Sequence, residues 1–384
     1  MLNHRSALPA LFLFASVLKF SLFFYTEQNA PDAKFQVDSQ RYIVNAQMLA
    51  RERTFAFGYN DGKPTLEFFR TPGYPFFLSL FLGLGHFSFS RIIFFQILLT
   101  LLTAYLTYKT AALYNSKIAL LSATIILFDL SITVHSLMIL SETLFLFLMA
   151  GLAYAFLRYL RDKSLFFLCL SALILAMATF VRPISFYLAL PLGLLFFFSK
   201  ENISLKKNLT HALIFLILVY GPLGMWQARN YHQTGRFFFS SITEWSKSHG
   251  LLHSYARRED PVSTGLPAWA YYPNVASRCL LSLLTRPASL KYFHSTELQA
   301  AGKIFDYLWI DFWLTGFLIG IWKGKKDVRY FALLGVAGYL IVASIVGGAW
   351  VVGSRFRVPL MPFIAILSAA GWSWLASLRK QRKA

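Results

Sequence analysis

Two carboxylates and a set of arginines stand out by type and spacing. Asp38, Arg41, Tyr42 and Asn45 fall at i, i+3, i+4 and i+7 in the stretch 38–50, whose apolar spacing is helical, so a carboxylate and a guanidinium share one face. Asp38 there either caps the helix and pairs with Arg41, or takes a proton from a substrate. Phe69-Arg70-Thr71-Pro72-Gly73-Tyr74-Pro75 sets a cation on a Pro/Gly turn at the head of an apolar run, as an anchoring turn or as a seat for a lipid phosphate. Ser141-Glu142-Thr143 places a carboxylate between apolar runs with no basic neighbour in sequence; it serves the helix dipole or finds a partner from elsewhere. Arg182-Pro183 interrupts a long apolar stretch, and Arg229-Asn230-Tyr231 leaves another, followed by Gly235-Arg236. Ser354-Arg355-Phe356-Arg357-Val358-Pro359 enters the last apolar run. Each group has an ordinary structural reading: capping, snorkelling or a phospholipid head group. Together they suit proton transfer beside a bound anion, and they suggest chemistry on an anionic lipid.

The elements that must position these residues are membrane helices. Of 384 residues 57% are hydrophobic and 14% charged, whereas a soluble domain carries roughly a quarter charged. Apolar runs at 8–24, 92–113, 118–137, 143–160, 165–181, 184–198, 209–226, 304–322, 330–346 and 358–378 predict about ten transmembrane helices in a single all-α, polytopic membrane domain spanning 1–384. The first run is read as a span rather than a cleaved signal, because it exceeds a signal-peptide core and no A-x-A site follows. The run 74–89, broken by Pro75, Gly83, Gly85 and His86, spans, re-enters or lies along the interface.

Charge decides between these options. If 74–89 does not span, Arg5, Lys109 and Lys117, the cluster Arg158, Arg161 and Lys163, then Lys200, Lys206 and Lys207, the group at 323–329 and the tail at 379–383 all fall on the cytoplasmic side. Both termini are then cytoplasmic, and two outer loops remain: 26–91, with interfacial or re-entrant helices, and 227–303. Eleven spans would put every later basic gap outside. With 37 Lys+Arg against 17 Asp+Glu the net charge is +20, but the positive residues punctuate short gaps rather than form one polar patch, so no nucleic-acid partner is expected. The candidate acidic and arginine residues gather on the outer side.

Other chemistries have little support. His249 and His253 are spaced i, i+4 and His294 and Glu297 i, i+3, without HExxH, a cysteine quartet or a carboxylate-rich loop. No metal site is assigned and no cofactor is required, though a divalent metal stays open. There is no P-loop, GxSxG or convincing GxGxxG. Cys169 and Cys279 form no CxxC and fall in segments of different depth. No matching halves suggest a transporter, which remains the alternative reading as a transporter or flippase of a lipid-linked anion.

In the order they occur, Asp38-x-x-Arg41-Tyr42, Arg70-x-Pro72-Gly73-Tyr74-Pro75, Ser141-Glu142-Thr143, Arg182-Pro183, Arg229-Asn230-Tyr231 with Gly235, and Arg355-Phe356-Arg357-x-Pro359 resemble the GT-C type polyprenyl-phosphate-sugar-dependent glycosyltransferases. The nearest groups are bacterial members related to dolichyl-phosphate-mannose protein mannosyltransferases and the lipid A aminoarabinose transferase. The resemblance covers about 8–378 and implies Asp38 and Glu142 as catalytic carboxylates. It implies Arg70 as the basic residue before the Pro motif; with it, Arg182, Arg355 and Arg357 are expected around the donor phosphate, Arg41 and Tyr42 either there or orienting Asp38, and Arg229 and Asn230 toward substrate. It implies a polyprenyl-phosphate sugar donor among membrane lipids, an acceptor of unstated kind, and a multi-pass protein of the cell inner membrane with its site facing outward. Ser39 departs from the pattern, since many such proteins carry a second acidic residue directly after the first Asp.

Overall fold

The computed structural model describes residues 4–82, 88–198, 204–242, 265–290, 295–324, 327–348 and 353–381. Apolar periodicity becomes helix along most of this length. α1 (His4–Asn29) is followed by α2 (Ser39–Glu52), whose buried Ser39, Tyr42, Asn45, Ala46 and Met48 form one face. Next comes a small antiparallel hairpin, β1 (Ala56–Asn60) and β2 (Lys63–Leu66). Its two-residue turn puts Asp61 at φ 49° and Gly62 at φ 74°, the left-handed pair that an Asp-Gly hairpin turn requires. The hairpin returns the chain to α3 (Gly73–Leu82), too short to cross a bilayer at ~1.5 Å per residue.

The membrane core follows. α4 (Phe89–Tyr114) precedes α5 (Ala119–Phe128) and α6 (Leu130–Ser136), which meet at a 52° bend. Asp129 makes the bend: its carboxylate accepts from the Ile132 amide at 2.8 Å and so starts a new helix. α7 (Glu142–Asp162) and α8 (Leu165–Val181) form a tight hairpin, which brings Arg182 back to the level of Glu142. After α9 (Ala189–Leu194) come α10 (Leu205–Thr234), α11 (Ala268–Thr285), α12 (Thr296–Lys323), α13 (Val328–Gly348), α14 (Ser354–Arg357) and α15 (Met361–Gln381). α7 and α15 are the most enclosed, while α1 and α10 turn Leu13, Val17, Leu209, Leu213 and Ile217 outward. Exposed apolar rows at i, i+4 spacing suit contact with lipid. The chain is a multi-pass membrane protein.

Among the described residues seven helices are long and apolar enough to cross a membrane, or eight if α5 and α6 count as one bent span. Ten were expected. The shortfall falls on α8 and on the stretch Pro183–Phe198, which are apolar but shorter than a full crossing. α2 and α3 are short helices within 26–91, and part of the ambiguous run, 83–87, lies outside the described residues.

α12 and α15 approach until their backbones touch. A Cβ at Gly320 would lie 2.0 Å from the Leu367 carbonyl oxygen, and one at Gly371 2.0 Å from that of Gly316. Gly320→Ala is therefore expected to cost about 1–3 kcal/mol through overpacking. Gly335→Ala, whose methyl meets nothing within 4 Å, is the control. Thermal unfolding in detergent checks this, and equal midpoints for the two variants would refute the close crossing.

Candidate active site

Five chain segments converge at one end of the bundle. The segment before α7 is sewn to the segment before α2: the Ile139 amide donates to the Lys34 carbonyl at 2.9 Å, and Ser39 Oγ donates to the Ile139 carbonyl at 2.8 Å. Ser39, which stands where many proteins of the resembled family carry a second acid, is thus a buried fastener. These bonds set Asp38 beside Glu142. From the other side the Arg70 turn seats on α8. A Cβ at Gly73 would stand 2.7 Å from the Phe180 and Val181 backbone, so only glycine fits, and Thr71 Oγ1 donates to the Val181 carbonyl at 3.3 Å. α14 supplies Arg355.

The charges then interlock. Asp38 does not pair with Arg41, and its side chain does not cap α2. Its Oδ1 accepts from Arg70 and its Oδ2 from Arg355 Nη2 at 2.7 Å. Glu142 is wholly buried; its Oε1 accepts from Arg182 Nη1 at 2.7 Å and from Arg355 Nε. Arg355 therefore bridges both carboxylates. Three guanidinium groups face two carboxylates, leaving a positive excess at an opening where Asp38 and Arg355 keep 18% and 34% side-chain exposure. Such a site attracts an anion and holds a carboxylate next to it.

Glu67 carries no distinguishing pattern in the sequence. It is wholly buried, takes Arg41 Nε at 2.5 Å and Nη2 at 2.9 Å, and accepts from Asn45 Nδ2 at 3.1 Å and from the amides of Phe69 and Arg70 at 2.6 and 3.1 Å. Ser240 Oγ and the Ser241 amide donate to the Phe69 and Phe68 carbonyls at 2.7 and 2.9 Å. The loop carrying Arg70 is thereby fixed on both sides. Burial pushes the Glu67 carboxyl up, but hydrogen bonds from Arg41 and Asn45, the Arg41 charge and the Arg70 amide outweigh it and hold it below its ordinary value.

Several expected phosphate or substrate residues lie elsewhere. Arg41 is engaged by Glu67 and lies over the rings of Phe57 and Phe69. Tyr42 is buried, its ring under Arg70 and its hydroxyl 3.4 Å from Ser141 Oγ, so it supports the cluster from below. Arg229 donates to the Glu67 and Phe55 carbonyls, and buried Asn230 to those of Phe238 and Phe239; both fasten backbone. Arg357 is fully buried and donates to the Leu283, Leu284 and Arg286 carbonyls and to Ser131 Oγ. It ties α14 to the end of α11 instead of meeting Asp38 or Glu142. For Arg357 the reason is that the end of α11 exposes carbonyls which a buried arginine satisfies. Below the cluster Lys19, Asp129 and Asp306 are also buried, Lys19 on Thr133 Oγ1 at 2.6 Å and Asp306 on the Ala288 amide at 2.7 Å. His249, His253 and His294 lie outside the described residues, and among those described no three His, Cys, Asp or Glu side chains converge as metal ligands.

The fold has counterparts. Over 98% of its length the chain superposes on the crystal structure of ArnT from Cupriavidus metallidurans bound to undecaprenyl phosphate, with a TM-score of 0.60 at 11% identity, covering 63% of that protein. It also matches the Archaeoglobus fulgidus oligosaccharyltransferase complexed with zinc and sulfate (TM-score 0.58, 13% identity, 97% of this chain and 50% of that one). The fold is that of the GT-C glycosyltransferases. Residues 69–226 match the family described as dolichyl-phosphate-mannose-protein mannosyltransferase, a stretch that includes Arg70, Glu142 and Arg182. A third match is the A. fulgidus enzyme AglB in complex with an inhibitory peptide and a dolichol-phosphate (TM-score 0.54, 14% identity, 97% of this chain and 51% of that one). The chain spans between half and two thirds of these proteins' length. No curated protein matches it in sequence.

Because the folded-state pKa of Glu67 is depressed, its stabilisation is present above the ordinary carboxyl range and is lost as pH falls through the folded value. Glu67→Gln is expected to lower stability at neutral pH by about 1–3 kcal/mol, less than a fully enclosed pair because Arg41 keeps 35% side-chain exposure. It should also flatten the decline toward about pH 4. Thermal midpoints across that range test both, and parallel curves for wild type and variant would contradict the assignment.

Proposed function

We propose that the protein is an inverting glycosyltransferase that moves a sugar from a polyprenyl-phosphate donor to an acceptor hydroxyl at the outer face of the inner membrane. In this reading both termini are cytoplasmic, and the segments 26–91 and 227–303 form the outer face. The carrying observation is Arg355, bridging Asp38 and Glu142 beside Arg70 and Arg182. That the matching ArnT structure is bound to undecaprenyl phosphate and the AglB structure is in complex with a dolichol-phosphate supports a lipid phosphate here.

The acceptor oxygen attacks the anomeric carbon and passes its proton to Asp38, while the bond from that carbon to the phosphate oxygen breaks. The electron pair leaves with the phosphate, and Arg70 and Arg355 meet the charge that develops there. A single displacement inverts the anomeric centre. Glu142, too enclosed to reach a proton in bulk solvent, holds Arg182 and Arg355 in place. A small, mostly apolar cleft of about 10 Å³ lies next to Arg182, lined by Phe145, Leu340, Phe356 and Pro359.

Purified protein in lipid, offered a panel of polyprenyl-phosphate sugars, tests this. Asp38→Asn is expected to lower turnover by about 10²–10⁴ with donor still bound. Arg70→Ala should weaken both binding and turnover. Full activity in Asp38→Asn would remove it as the base, and transport of an intact lipid-linked sugar without transfer by wild type would replace the enzyme with a flippase.

A further inference from the structure

In the free chain both oxygens of Asp38 are taken, Oδ1 by Arg70 and Oδ2 by Arg355. Two guanidinium groups converge on one anion, and that anion belongs to the protein. Each arginine has a hold besides Asp38. Arg355 is also gripped through Nε by Glu142, which Arg182 holds in turn. Arg70 lies over the rings of Tyr42 and Phe69 at 5.2 and 5.0 Å, and its amide is fixed on Glu67. Its buried Nε has no hydrogen-bond partner, so it keeps donor capacity for another anion. Asp38 is held more loosely. It stands at the N-cap position of α2 without capping it and keeps 18% side-chain exposure, where Glu142 keeps none. The α2 amides that it leaves uncapped are a second set of donors within its own segment.

We propose that Asp38 is a stand-in for the donor: its carboxylate occupies the phosphate seat between Arg70 and Arg355, and the arriving lipid phosphate displaces it and so frees the base. The inference rests on the lipid-phosphate reading above. One charge-assisted set of hydrogen bonds is exchanged for another, so the arginines remain paired throughout. The carboxylate is released toward the acceptor only once a donor is in place. An acceptor arriving first meets a base with both oxygens engaged, which sets the order of binding.

The exchange weakens apparent affinity, because a seat open one time in ten binds about tenfold less tightly than one always open. Asp38→Asn, which removes the competing charge, is therefore expected to bind undecaprenyl phosphate about tenfold more tightly than wild type. Asp32→Asn removes the same charge from the same loop without touching these arginines, and should change binding less than about twofold, as long-range attraction alone would. The gain should vanish in an Arg70→Ala background. A second readout needs no variant: with ¹³C-aspartate in the wild-type protein, infrared difference spectra should show a carboxylate change on adding undecaprenyl phosphate and none on adding undecaprenol. Equal or weaker binding by Asp38→Asn, or no carboxylate change in wild type, overturns the exchange while measurable wild-type binding leaves the donor reading standing. No binding of undecaprenyl phosphate by wild type overturns both.

Discussion

The fold turns on one buried carboxylate. Glu142 is taken wholly out of solvent at the start of α7, and a charge so placed is tolerated only with matched partners. Arg182 and Arg355 provide the match, from the end of α8 and from α14. Since Arg355 also reaches Asp38, satisfying one charge draws four segments to a common point. An enclosed ion pair contributes little net stability but specifies geometry when removing either partner would strand the other. Here the geometry so specified is the opening where Asp38 and three arginines meet.

Around that point side chains fasten the backbone at several places. Glu67 gathers the loop before the Arg70 turn, Arg229 and Ser240 hold it from α10 and the segment after it, and Arg357 fixes α14 from below. Rigid support of this kind is what a site needs to keep charged groups within hydrogen-bond reach. Lys19, Asp129 and Asp306 are also buried, held by Thr133 Oγ1, the Ile132 amide and the Ala288 amide respectively.

Much of this was legible in the sequence, in uneven ways. Helical identity of the apolar runs followed from hydropathy, because a chain in lipid must satisfy its backbone internally. The span count did not, since α8 and the stretch Pro183–Phe198 are apolar enough but short, and length in space depends on where a helix breaks. Asp38, Arg70, Glu142, Arg182 and Arg355 were singled out as charges in apolar or turn settings, and they do converge. Their pairing was unreadable: Asp38 and Arg41 share a helix face at i, i+3, yet each takes a partner from far along the chain. Glu67 carried no local signal, lying after a short hairpin with its donors scattered from Arg41 to Arg70. Arg357 was misplaced because spacing by two in a short helix says nothing about which of two arginines faces the opening.

The Gly73 turn sits directly on the Phe180 and Val181 backbone. A contact between main chains carries no information about side chains on the α8 side, so residues 180 and 181 are free to vary as far as this joint is concerned. The whole constraint falls on the one position that has no side chain. A joint of this sort can persist while the surrounding sequence drifts almost without limit, which is one physical route by which an architecture stays superposable at 11–14% identity.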